Sequence, residues 1–80
     1  MSRKKTRPRA LDIDWHSVGK RIRELRGFDM TQTDFARKIG VSQAYLSMIE
    51  RGQGEIGPVV LLALSQEFGK SIEWLLTGKE

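Results

Sequence analysis

TQTDFARKIGVSQAYLSMIERG, residues 31–52, divides at Gly40-Val41-Ser42 into two short helical segments joined by a tight turn. Thr31 is placed to cap the first segment, because its side-chain oxygen can accept from a backbone N–H that a first helical turn leaves without a partner. Asp34, three residues on, completes a Thr-x-x-Asp form of the capping box, and Met30 before the cap can staple onto Phe35. Phe35 and Ile39 share one helix face, with small Ala36 beside them. Gly40 is expected to end the segment at positive φ, which glycine adopts without steric cost. Val41 and Ser42 repeat the pattern of staple and cap, so a second helix starts at Gln43.

The second helix is the informative one. At about 100° per residue, Leu46 and Ile49 sit together and Glu50 lies near their edge. The opposite face carries Ala44, Ser47, Met48 and Arg51, flanked by Gln43 and Tyr45. It is too polar for a core and too weakly charged for an ordinary solvated face. Its amide, phenol, hydroxyl, methyl and thioether are groups that can contact base edges. A plain helical hairpin facing water is the alternative, and the repeated capping and the remaining chain weigh against it.

These residues resemble the helix-turn-helix of the phage-repressor/Cro-type (XRE) DNA-binding domains. The matching marks are Thr31-Gln32, Ala36, Gly40-Val41-Ser42-Gln43, Leu46 and Ile49-Glu50-Arg51-Gly52, and the likeness runs from about Val18 to Gly78. So many matches at fixed spacing are far more specific than a lone short motif. The resemblance implies that Gln32 binds a phosphate with Thr31 and Ser42 nearby. It places Gln43, Ala44, Tyr45, Ser47 and Met48 in the major groove, and sets Arg51 and Gln53 on the backbone beyond. Helix N-termini favour anions in any case, through free N–H groups and the helix dipole. Gln43 is the first choice for a base contact, since an amide can pair bidentately with adenine, while Ala44 and Met48 can meet a thymine methyl. The family often carries longer polar residues at Ala44 and Met48, which implies a smaller hydrogen-bonded share of readout here.

Composition sets compatible bounds. Eighty residues allow one domain with a modest core. The chain has no cysteine and one histidine, which excludes a disulfide framework and leaves little for a metal or catalytic cluster. Neither a metal nor a cofactor is expected. The longest apolar run, Val59 to Leu64, is too short to span a bilayer, and nothing resembles a secretory signal, so a cytoplasmic protein is expected. The net charge of +4 is unevenly spread. Arg3, Lys4, Lys5, Arg7 and Arg9 put five positive charges in residues 1–11, while the remainder has nine basic against ten acidic side chains. Residues 1–13 are read as a basic arm, disordered when free, and residues 14–78 as the helix-turn-helix domain. Such an arm suits nucleic acid better than membrane, because no apolar face accompanies its charge. A solubilising tail or an expression remnant is the competing reading.

A first helix is expected from an Asp14 cap to Arg26, with Trp15, Val18, Ile22 and Leu25 as its buried stripe and Gly27 as its stop. Trp15 and His16 read as structural or edge residues. The resemblance pairs an arginine closing this helix with the glutamate closing the recognition helix, here Arg26 and Glu50. Since Glu50 points to the core side, where a lone carboxylate would be costly, the pair reads as structural. The crossing from Arg26 to Thr31 is one residue shorter than the family commonly has. Pro58 suits the first turn of a fourth helix, whose Val60, Leu61, Leu64 and Phe68 recur at helical spacing up to Gly69. Ser71 caps a last helix in which Ile72, Leu75 and Leu76 are expected to pack inward, with Trp74 over the edge. Val59, Leu62 and Ala63 exceed one stripe, and a homodimer surface accounts for them better than burial all round.

The expected fold is all-α: a five-helix, lambda-repressor-like domain whose second and third helices form the helix-turn-helix. The expected function is sequence-specific binding of double-stranded DNA by a transcriptional regulator, a repressor acting on a palindromic operator. An antitoxin or antirepressor using the same fold to bind another protein is the alternative. Enzyme chemistry is the weakest class, since no nucleophile–base pair, metal spacing or phosphate-binding glycine loop occurs.

Overall fold

Side-chain caps and apolar stripes set out five helices in a computed structural model of the chain, which describes residues 12–79. They are α1 Trp15–Arg26, α2 Gln32–Ile39, α3 Gln43–Glu50, α4 Pro58–Phe68 and α5 Ile72–Thr77, and the described residues contain no strand. The five arm cations, in residues 1–11, lie outside the described residues.

Asp14, Thr31, Ser42 and Ser71 each accept, through the side chain, a backbone N–H three residues on, at Ser17, Asp34, Tyr45 and Trp74. The Asp14 carboxylate also takes the Ser17 hydroxyl at 2.8 Å, and these hydrogen bonds hold its pKa below the ordinary carboxylate value. α4 has no side-chain cap and starts on Pro58. Between α2 and α3 the chain turns at Gly40, whose φ of 81° is left-handed and whose N–H reaches back to the Ala36 and Arg37 carbonyls.

One core gathers an apolar stripe from every helix: Val18 and Ile22, Phe35 and Ile39, Leu46 and Ile49, Leu61 and Leu64, and Leu75. The rings of Phe35 and Phe68 stack at 4.9 Å, joining α2 to α4. α1 packs on α3 and α5, α2 on α3 and α4, and α4 on α5. Arg21 donates to the Leu75 carbonyl at 2.9 Å and so ties the end of α5 to α1.

Three positions depart from the apolar periodicity. Ile72 is exposed rather than inward: it opens a six-residue helix, and Leu75 takes the single inward place such a helix offers. Ile56 is buried at 5% exposure although it lies in the connection before α4, where no helical period can flag it. Gly19 is buried in mid-helix, where α1 crosses α3. A β-carbon there would stand 2.5 Å from the Ile49 carbonyl oxygen and 2.7 Å from that of Glu50. Only glycine allows the two backbones to approach so closely. Among the described residues no helix is long and apolar enough to cross a membrane.

Candidate nucleic-acid interface

α3 is anchored by its inner face. Leu46 and Ile49 are almost wholly buried, each worth roughly 1.5–3 kcal/mol of transfer, against ~1 kcal/mol for the Ser42 cap. Glu50 is buried beside them, and burying a carboxylate demands partners. Arg26 supplies two: its Nε donates to Oε2 at 2.9 Å and its Nη2 to Oε1 at 3.0 Å. The carboxylate holds the Arg26 guanidinium above the ordinary arginine pKa. Arg26 Nη1 also donates to the Met30 carbonyl at 3.3 Å, so one guanidinium ties α1 to the crossing and to α3.

The hydrogen-bond chain runs on to the surface. Gln32 Nε2 donates to Glu50 Oε1 at 2.9 Å, and Gln32 Oε1 accepts from Gln43 Nε2 at 2.6 Å. A largely buried ion pair therefore fixes the orientation of two amides at the N-terminal ends of α2 and α3. Fixing Gln43 in this way leaves its Oε1 and one N–H open outward. Gln32 likewise keeps one N–H, so a phosphate contact there would use that proton alone.

The other residues picked out by the sequence fall around these amides. Thr31 and Ser42 are exposed caps, and Gln43 and Ala44 are exposed. Tyr45, Ser47 and Met48 are half-buried, Tyr45 and Met48 because their inner edges pack on the core. Arg51 is exposed, donating to the Ser47 hydroxyl and, at 3.3 Å, to Gln53 Oε1. Periodicity could identify the outer face of α3 but not this pairing of its polar groups, which depends on how α1 and α2 meet α3. Arg23 also lies near this face and went unmarked, since an exposed helical arginine carries no distinguishing pattern. The result is a face with positive charge at one edge and oriented donors and acceptors at its centre, chemistry suited to a groove lined by phosphates.

Known proteins share the fold that carries this face. Residues 20–75 match the family model described as Helix-turn-helix. The Propionyl-CoA carboxylase regulator of Cereibacter sphaeroides is 39% identical over 63 residues, which are 78% of this chain and 14% of that protein. The chain thus spans a small part of that relative's length. The P22 c2 repressor protein, solved in complex with a synthetic operator, is 35% identical with a TM-score of 0.71, over 78% of this chain and 96% of that one. The restriction-modification controller protein C.AhdI of Aeromonas hydrophila is 30% identical with a TM-score of 0.68, at the same two coverages.

Proposed function

The chain belongs to the helix-turn-helix family of DNA-binding transcriptional regulators, and we propose that it is a repressor that reads the major groove of a palindromic operator with α3. The observation that carries this reading is the line of hydrogen bonds from Arg26 and buried Glu50 through Gln32 to exposed Gln43. A side chain locked from beneath loses little freedom on meeting a base, which is what specific readout requires.

Contacts divide into positioning and reading. Thr31, Gln32 and Ser42, at the N-terminal ends of α2 and α3, hold phosphates, aided by free backbone N–H groups. Gln43 pairs with a base edge, Ala44 and Met48 meet a thymine methyl, and Tyr45 and Ser47 complete the groove-facing surface. Arg51 and Gln53 hold the backbone past the groove, and the arm cations add attraction that any duplex shares. Two copies related by a two-fold axis place two α3 helices one turn of DNA apart, and the apolar outer face of α4 supplies their contact.

Selection of bound sequences from a random duplex pool tests the reading. A palindrome with two equal half-sites is the expected product. Recovery of no enriched sequence would overturn sequence-specific binding, and a single asymmetric site would overturn the two-fold arrangement.

A further inference from the structure

We propose that Arg23 and Arg51, the latter held by the Ser47 hydroxyl, form a seat for one backbone phosphate beside α3, a role that rests on the DNA-binding reading above. A hollow of about 280 Å3 opens where α1, α2 and α3 converge, walled by Arg23, Arg26, Gln32, Ser47, Glu50 and Arg51.

The charge of the hollow is decided by which cations are already neutralised. Glu50 takes two hydrogen bonds from Arg26 and one from Gln32, so Arg26 is compensated inside the fold. Arg51 is engaged only by neutral groups, the Ser47 hydroxyl and the Gln53 amide oxygen. Arg23 is exposed and has no ion-pair partner among the described residues. Two uncompensated guanidiniums, one from α1 and one from the end of α3, therefore border the same opening. Both have fork-shaped donors that match a phosphate's oxygens. Arg23 is exposed to solvent and borders a second hollow with Lys20, Glu24 and Phe28. The seat joins α1 to the DNA backbone and fixes how deeply α3 enters the groove.

The test titrates the full chain, Arg23→Gln, Arg23→Lys and Lys79→Gln against a short mixed-sequence duplex and the duplex recovered by selection, over a range of salt. Lys79 lines neither hollow and serves as the control for lost charge alone. Arg23→Gln is expected to lower the slope of log K against log salt by about one, and to weaken both duplexes roughly tenfold near ~0.1 M salt. Its melting temperature should stay at the parent value, Arg23→Lys should keep most of the slope, and Lys79→Gln should stay near the parent. A scan of neutral methylphosphonates should find one position per half-site that weakens the parent clearly more than Arg23→Gln, which keeps only the Arg51 contact there. A parent-like slope and affinity in Arg23→Gln would sink the seat alone, and loss confined to the selected duplex would make Arg23 a base reader instead. A parent that bound neither duplex would defeat the DNA-binding reading, and the seat with it.

Discussion

α3 and α4 are consecutive helices of 8 and 11 residues that bury similar aliphatic stripes, yet they turn opposite faces to solvent. α3 shows Gln43 and Ala44, with Arg51 just past its end and a buried carboxylate beneath; α4 shows Val59 at 79% exposure and Leu62 at 48%. The polar face is held by hydrogen bonds that start inside the protein, whereas the apolar face lacks such organisation. Order imposed from beneath suits a surface that must discriminate between ligands, and exposed aliphatic area suits one that must simply be covered.

Removing the buried support of α3 should break the contrast most severely. Glu50→Ala leaves the half-buried Arg26 without its carboxylate and should destabilise the fold by ~3–5 kcal/mol. Arg26→Ala should cost a similar amount, since it strands a more deeply buried charge. Thermal unfolding of both single variants and the double variant gives the coupling, and the double should cost clearly less than the sum. Simple additivity would show that the two side chains act independently. The exposed pair of Arg37 and Asp34, 3.6 Å apart, is the useful control, because such pairs contribute ~1 kcal/mol or less.

The next effect lies in binding rather than folding. Gln43→Ala should weaken binding to the selected operator by ~1–3 kcal/mol and relax discrimination at one base position per half-site. Stability should fall by no more than ~1 kcal/mol, because the bond from Gln43 to Gln32 is exposed. Gln32→Ala should reproduce part of the specificity loss by freeing Gln43, so the double variant should again fall short of the sum. Titration against single-base operator variants at fixed salt would decide this. An equal loss on every sequence, random DNA included, would mean that Gln43 positions the helix and reads nothing.

These two predictions differ in how far the sequence alone could have supplied them. The five helices were legible because every start and most ends carry a local mark: a cap at Asp14, Thr31, Ser42 or Ser71, Pro58 opening α4, and Gly40 or Gly69 closing a helix. The Arg26–Glu50 pair was legible only through resemblance, since its partners are 24 residues apart and periodicity says nothing about such distances. Ile56 escaped because loops have no period, Gly19 because a helix interior gives no sign of the backbone crossing it, and Ile72 misled because six residues define a stripe poorly. The outer face of α3 could be read as a list of residues, but the orientation of Gln43 depends on three helices meeting.

A comparably small change in folding comes from α4, and it sharpens the comparison from the other side. Val59→Glu combined with Leu62→Glu should cost the monomer no more than ~1 kcal/mol, because Val59 is largely in water and Leu62 is about half exposed. A glutamate in place of Val59 would also lie in the first turn of α4, where the helix dipole favours a negative charge. Association is a different matter. If two copies meet through this face, a two-fold axis brings like charges together, and hydrophobic contact gives way to repulsion. Sedimentation should then show the parent shifting from monomer to dimer as concentration rises while the variant stays monomeric. On DNA, the variant should bind a single half-site as the parent does and lose the parent's cooperative gain on the full palindrome. Equal sedimentation and equal cooperativity in the two proteins would show that the copies meet elsewhere, and that Val59 and Leu62 are exposed for a reason other than dimerisation.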